Sequence, residues 1–427
     1  MDQITRKEFL AATTATIATV SVVGPHLKAS AASTAPHRHA VIGCGGQGAQ
    51  HARVFSSFED CDVVALCDVD PERRDKLAKA LPNTDQVRVE EDYRKILDDD
   101  SIVSVSVVTP DHWHTPIAIA ALQAGKHVYV EKPCSHTVME GDALVAAAKA
   151  SGLCVQHGTQ WRGTESAQKG IAWMHEGNLG KVRVAKAINH QLRGPIGRAE
   201  ETTPPDGVNY DLWLGPAPLR PFTQNRWHYN WHWHWDYGGG DLVNDGIHQV
   251  DVARWGLGVG LPKAISGSAA QLFYDDDHET PDTQTITFEY DDCHLLYEMR
   301  LWTNYPLEGH DNGVIYYGDK GTLHIGRSGA IAHFKDETVT IGEGNADITR
   351  HMRNFLDCIR DHSPEKLYAP IDECHRSATL CNLGNIATRV GRRISFDAAT
   401  LSCPGDPEAT AMLTKIYRAG YELPSIA

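Results

Sequence analysis

The apolar run Ala40, Val41 and Ile42 stops at a glycine turn, Gly43-x-Gly45-x-x-Gly48, and the residues that follow, through Phe58, read as a helix. This pattern constrains the fold more than any other in the chain. Glycines at that spacing allow a tight turn from strand to helix and let another group approach the backbone where the first helical N–H groups lack partners. A strand entering such a turn belongs to a parallel sheet whose crossovers are helices.

The sequence after the turn agrees. "CDVVALCD" reads as a second strand ending in Asp68, 20 residues beyond Gly48, where a carboxylate would take the hydroxyls of a ribose. Pro71–Leu81 then reads as helical, "SIVSVSVVTP" as a strand buried on both faces, 116–124 as helical and "HVYV" as a strand. Thr137 and Glu140 form a capping box opening a helix through Lys149, and "LCVQHG" closes the series. This alternation predicts a doubly wound parallel sheet of the Rossmann type over residues 36–160. Gly43, Gly45, Gln47 and Gly48 would face a pyrophosphate and Asp68 a ribose. Asp68 repels a 2'-phosphate and so favours NAD, while Arg73 and Arg74 leave NADP open.

A chain of 427 residues calls for more than one domain, and its net charge of -15 argues against a nucleic-acid partner. Residues 1–35 read as a leader: "TRKEFL", an apolar run from Ala11 to Val23, then small residues at 29–32 suited to a signal peptidase. It resembles a twin-arginine signal with Lys7 in place of the second arginine, so the expected location is the periplasm, with the cytoplasm as the alternative. No apolar run is long enough to span a membrane after the leader. The ten cysteines form no CxxC pair, and a disulfide is left open.

"NRWHYNWHWHWDYGGGDLVNDGIHQVD", Asn225 to Asp251, holds four Trp, four His and four Asp in 27 residues. If extended, Trp231, Trp233 and Trp235 share one face and His232 and His234 the other. The tryptophans would stack on the C–H face of a sugar ring, and the histidines with Asp236 would bond its hydroxyls. A packed core loop and a transition-metal site are the competing readings; the spacing matches no standard metal signature, so no metal is expected. From Leu242 the chain reads as a helix with Asn244 and His248 four apart, Asp245 three before His248 and Asp251 three after it.

"AGKHVYVEKP", with Glu131, Lys132 and Pro133 ending the fifth strand, and "TPDHWH" from Thr109 to His114 resemble the family of glucose-fructose oxidoreductase, inositol dehydrogenase and MocA. The resemblance runs from Ala40 onward and takes in "GNLGKV" and "HMRNFLDCIRD". It implies that Lys132 lies between nicotinamide and substrate, and that the turn bearing Thr109, Pro110, His112 and His114, together with Glu131, holds the cofactor. Gln160 and Arg162 in "HGTQWRG" match positions lining the same cleft, Arg162 toward substrate. The family's D-x-x-x-H pair maps onto Asn244 and His248. His248 would be the acid-base residue, with Asn244 in place of the carboxylate and Asp245 or Asp241 as substitutes. An ammonium at the carboxyl end of a parallel strand is placed to orient a hydroxyl or stabilise an alkoxide, which supports Lys132 independently.

The resemblance also implies a second domain, 161–370, on a large, mostly antiparallel open sheet, and a helix and tail, 371–427, packing back on the body. Strand-like runs in "KVRVAKAINHQ", "KAISGSAAQLFY", "TQTITFEY", "HLLYEMRLW", "NGVIYYGDKGTLHIG" and "GAIAHF" supply that sheet. Its open face predicts a homo-oligomer, a dimer or tetramer. The expected activity is NAD(P)-dependent oxidation of a sugar, glycoside or polyol, with a tightly held cofactor reoxidised by a second carbonyl substrate. A redox-assisted glycosidase of the same family and a non-catalytic sugar- and nucleotide-binding protein are the alternatives.

Overall fold

The computed structural model describes residues 35–82, 84–307, 312–344 and 346–425. Apart from Ala35, the leader lies outside the described residues. From His37 onward two sheets share one compact unit.

The first sheet has strands β1 (His37–Ile42), β2 (Cys61–Cys67), β3 (Arg88–Glu90), β4 (Ser104–Val107), β5 (His127–Val130) and β6 (Val155–His157), all parallel in the order β3-β2-β1-β4-β5-β6. Strand order reverses between β1 and β4, which opens a crevice at their carboxyl ends. Helices α1 (Gly46–Phe55), α2 (Pro71–Ala80), α3 (Asp111–Gln123) and α4 (Val138–Ser151) form the crossovers.

Local chemistry explains these boundaries. Gly43 has φ 98°, and a Cβ on Gly48 would run into the Gly43 carbonyl oxygen, so this turn admits only glycine at both places. Helix α1 begins without a side-chain cap, whereas Asp70 caps α2 by accepting from the amides of Glu72 and Arg73. The Thr137–Glu140 capping box forms at α4. Helix α3 starts five residues before the expected Pro116. The proline leaves the His112 carbonyl without its helical donor, and Lys415 Nζ approaches that oxygen at 3.5 Å instead.

The second sheet contains β7 (Val182–His190), β10 (Ala264–Ala270), β11 (Thr283–Glu289), β12 (His294–Arg300), β13 (Asn312–Gly318), β14 (Thr322–Gly326), β15 (Gly329–His333), β16 (Thr338–Gly342) and β17 (Ile394–Ser395). A two-stranded ribbon, β8 (Glu201–Thr202) and β9 (Phe222–Thr223), stands apart. The large sheet is antiparallel except where β7 and β12 run parallel. "NGVIYYGDKGTLHIG" is therefore two strands around a turn; β3 and β17 are short pieces of three and two residues, and β16, with the β-branched run Thr338-Val339-Thr340-Ile341, is a strand the sequence reading passed over. Along β11 and β12 burial alternates, with Ile286, Phe288, Leu295, Tyr297 and Met299 on the covered face.

Helices α5 (Glu165–His175), α6 (Gly240–Asn244), α7 (Gly246–Leu257), α8 (Ile348–Arg360) and α9 (Ile371–Val390) complete the body. The expected continuous helix from Leu242 is broken at Asp245, whose φ of -117° separates α6 from α7. Helix α8 returns to the first sheet, where Phe355 meets Phe55 edge-on and Arg353 pairs with Asp60 at 2.6 Å. The tail docks on α4: the buried Glu140 carboxylate receives Lys415 Nζ and Tyr417 Oη, both at 2.8 Å. All ten cysteines are buried and unbonded.

Candidate active site

A cleft of about 490 Å³ opens at the β1/β4 reversal and continues toward α6 and the Trp-His segment. At its nucleotide end lie Gly43, Gly45, Gln47 and Asp68; Gly48 sits beneath the turn and does not line the cleft. Two amides fix the Asp68 carboxylate, Cys44 N at 2.6 Å and Asp70 N at 2.9 Å. Burial raises the Asp68 carboxyl above its ordinary range, and those amide bonds oppose the rise. Arg73 lines the cleft beside Gly45, whereas Arg74 turns to Asp75 at 3.3 Å. The glycine cradle, the uncapped α1 and the clamped carboxylate suit a dinucleotide with free ribose hydroxyls.

At the other end Lys132 Nζ donates to Asn244 Oδ1 at 3.1 Å. Asn244 Nδ2 donates in turn to Asp241 Oδ1 at 2.9 Å, and Arg193 and Asn189 grip Asp241 at 3.0 and 2.9 Å. A chain of contacts thus runs from the cleft ammonium through a neutral amide to a buried carboxylate. Burial raises the Asp241 carboxyl, with Arg193 acting against it and Asp245 reinforcing it.

His248 does not meet Asn244 in this chain, because the helix break places them on separate helices. Its Nδ1 is buried without a hydrogen-bond partner, and it is not among the residues lining the cleft. Asp245 is engaged elsewhere, accepting from Asn312 Nδ2 at 3.1 Å, and Asp241 serves Asn244. Burial lowers the His248 imidazole below its ordinary range, partly offset by Asp245, and Lys132 lowers it further.

The Trp-His segment is a tight 3-10 turn over His228–Trp233, not an extended strand. Of the expected substrate residues, only Trp231 and His232 line the cleft, stacked on each other with centroids 3.5 Å apart. Trp233 is core at 1 % exposure. His234 approaches Glu279 at 3.3 Å, Asp236 pairs with Arg220 at 2.8 Å, and Trp235 lies under the Arg389 guanidinium at 4.4 Å. Among the described residues no group of three or more His, Cys, Asp or Glu is arranged to hold a metal.

Arg162 is likewise turned away from the cleft. It forms a bidentate pair with buried Asp251 at 2.7 and 3.0 Å, and Ser377 adds a third bond to that carboxylate. Gln160 is half-buried in the preceding turn, outside the lining. Thr109, Pro110, His114 and Glu131 do line the cleft. His112 is buried against the Trp213 carbonyl at 3.0 Å, and His114 bridges the carbonyls of Thr109 and Pro133.

Sequence reasoning missed several lining residues, among them Tyr93, Trp113, Trp213, Trp227, His228, Tyr229 and Asp111. Asp111 is 2 % exposed, and its Oδ2 has no partner. Burial pushes its carboxyl up to about 8, against the attraction of Lys132. It lies inside "TPDHWH", so its position was visible but its burial was not.

Comparison with known proteins agrees with this architecture. Residues 37–159 match the model of the oxidoreductase family's NAD-binding Rossmann fold, and residues 189–423 match that family's C-terminal alpha/beta domain. A glycosyl hydrolase family 109 protein of Saccharopolyspora erythraea is 30% identical over 202 residues, 42% of this chain and 43% of that one. A levoglucosan dehydrogenase of Pseudarthrobacter phenanthrenivorans is 36% identical over 91 residues, 21% of this chain and 23% of its own. The chain spans less than half the length of these curated relatives. The crystal structure of GenD2 from gentamicin A biosynthesis, in complex with NAD, superposes with a TM-score of 0.66 at 20% identity, covering 88% of this chain and 100% of that one. With both family domains matched in order across the two sheets, this chain belongs to the Gfo/Idh/MocA family of oxidoreductases.

Proposed function

We propose that the protein is an NAD-dependent dehydrogenase that oxidises a ring carbinol of a sugar, glycoside or polyol. The observation that carries this reading is the Lys132 ammonium, held by Asn244 in the same cleft as the glycine turn and Asp68. Bound NAD would supply the hydride acceptor. Gly43, Gly45 and Gln47 would hold its pyrophosphate and Asp68 its ribose.

The protein's own part is binding and proton handling. One N–H of Lys132 is used by Asn244, and its other N–H groups serve a substrate hydroxyl, stabilising negative charge on that oxygen as its proton leaves. His248, kept neutral by burial, lies behind the cleft lining and is left out of the proton path. Trp231, stacked on His232, offers an aromatic surface to the C–H face of a ring.

Purified protein carrying its nicotinamide, challenged with a panel of sugars and polyols, tests this. Reduction by one sugar and reoxidation by a keto compound is the expected result; no absorbance change with any of them would refute it. The glycosyl hydrolase family 109 relatives favour a second reading, in which oxidation is transient and a glycosidic bond is cleaved. Release of free sugar without net NADH would select it.

We further place the protein outside the cytoplasm. The leader-like first residues support this. There the cofactor would be captive and recycled in place. Exposed Phe273, stacked on Trp302 at 3.7 Å, and exposed Leu272 beside it favour pairing of subunits. Cell fractionation and light scattering check these two points.

A further inference from the structure

A single file of imidazoles and hydroxyls crosses the interior of the first sheet and has no part in the chemistry above. Glu131 Oε1, at the cleft, contacts His51 Nε2 at 3.0 Å, and His51 Nδ1 lies 3.1 Å from Ser106 Oγ. Ser106 Oγ lies 2.9 Å from His39 Nε2, His39 Nδ1 2.7 Å from Ser104 Oγ, and Ser104 Oγ 2.7 Å from His37 Nε2. His51, Ser106, His39 and Ser104 are fully buried, while His37 is half-buried at the amino-terminal end of β1, the end away from the cleft.

Packing does not account for these residues. The stripe lies between neighbouring strands β1 and β4, where His39 pairs with Ser104, and a doubly covered parallel sheet ordinarily carries aliphatic side chains there. Polar groups in such a place are tolerated only when bonded, and each is bonded to the next in line. Phe55 covers His39 at 4.0 Å and Tyr129 stands edge-on to His51 at 4.9 Å, so aromatic walls insulate the file. Burial holds the His39 imidazole well below its ordinary range and the His37 imidazole at about 4, so each offers one N–H and one lone pair. Burial works to raise the Glu131 carboxyl, and the His51 contact, followed by Lys132, brings it down to about 2, so it rests ionised and accepts from His51 Nε2–H.

We propose that Glu131, His51, Ser106, His39, Ser104 and His37 form a proton relay joining the active-site cleft to solvent at the amino-terminal end of β1. The proposal rests on the dehydrogenase reading of the cleft. At rest His51 Nε2–H donates to the ionised Glu131 carboxylate, so the file first runs inward. When hydride from the reduced nicotinamide turns a carbonyl into an alkoxide, that oxygen needs a proton. His51 Nε2 gives its proton to the Glu131 carboxylate, which passes it to the alkoxide, while His51 Nδ1 takes one from Ser106 Oγ. Ser106 takes one from His39 Nε2, His39 Nδ1 takes one from Ser104 Oγ, Ser104 takes one from His37 Nε2, and His37 Nδ1 takes one from solvent. At every station one bond to hydrogen forms and one breaks, and each imidazole is left as its other tautomer. When a carbinol becomes a carbonyl, its hydride leaves to the nicotinamide and its proton runs outward through Glu131 and the same stations to solvent, which restores the first tautomers, so a cofactor that alternates between the two directions needs no ring flips.

The test uses the full-length protein with its bound cofactor, as wild type and as Ser104→Ala, Ser104→Thr and Ser106→Ala, with thermal melting as the check on folding. NMR of histidine-labelled protein follows solvent exchange of the ring N–H groups of His39 and His51, assigned through His39→Gln and His51→Gln. Exchange slowed roughly tenfold or more in both alanine variants, the rate equivalent of one lost hydrogen bond, and restored by threonine, is expected. Equal exchange in wild type and alanine variants would overturn the relay whatever the substrate is. In stopped flow with levoglucosan, proton release by Ser106→Ala, read by an indicator dye, should lag behind nicotinamide reduction, whereas in the wild type the two run together. Coincident traces would also overturn the relay. If levoglucosan reduces no nicotinamide in the wild type, the fault lies with the substrate reading, and the exchange result alone decides the relay.

Discussion

Lys132 differs from a surface lysine in being held: its ammonium rests on a neutral amide, with the matching negative charge one residue deeper, on Asp241. A carboxylate in direct contact would bind the ammonium more tightly and compete with substrate oxygen for it. Lys132→Ala should lower turnover by roughly 10²- to 10⁴-fold, the usual range for a positioned proton-transfer group. NAD binding, followed by protein fluorescence quenching, should persist. Asp111 leads to a pH prediction. Its carboxyl rises from an ordinary 3.8 to about 8, so the folded state prefers it protonated. That contribution to stability is complete below about pH 4 and is lost as pH rises through about 8. Asp111→Asn should flatten the melting-temperature profile across this window; an unchanged slope would remove the carboxyl from the argument.

At the scale of elements, what was legible in the sequence was what backbone stereochemistry or a local bond decides. The glycine turn and the Thr137–Glu140 box sit where their spacing puts them, because each is fixed by residues within a turn of it, and Asp68 follows because the end of β2 lies beside the glycine turn, where the Cys44 amide meets it. Gly48→Ala should therefore abolish NAD binding and cost about 1–3 kcal/mol by overpacking, measured by calorimetry and denaturant unfolding. Thr137→Ala should cost about 1 kcal/mol through the lost cap. The Trp-His segment was not legible in the same way. Alternation of Trp and His suggested a strand, but contacts distant in sequence set the turn: Asp70 takes His228 at 3.2 Å, Glu279 takes His234, and the core takes Trp233. The helical spacing of Asn244 and His248 failed for a related reason. The chain breaks at Asp245, whose carboxylate is held by Asn312 from another strand. Arg162 matched a cleft position by motif, yet its partner, Asp251, lies 89 residues on.

At the scale of the whole molecule, the tail works as a strap. Lys415 reaches the buried Glu140, the His136 ring at 3.3 Å and the His112 carbonyl, while Arg418 bonds the Gly215 carbonyl at 2.8 Å, so one short segment ties the nucleotide sheet's helices to the second domain. Lys415→Met should leave Glu140 without its cation and cost about 3 kcal/mol in chemical denaturation. A loss indistinguishable from zero would show that the Tyr417 hydroxyl and the cap amides suffice. The strap also bears on timing during synthesis. A ribosome adds Lys415 303 residues after His112, whose carbonyl it approaches, so the nucleotide-binding sheet emerges and can pair its strands long before the wall beside the cleft is fastened. Throughout that interval the cleft lacks one of its ties, and docking of the strap is a late event.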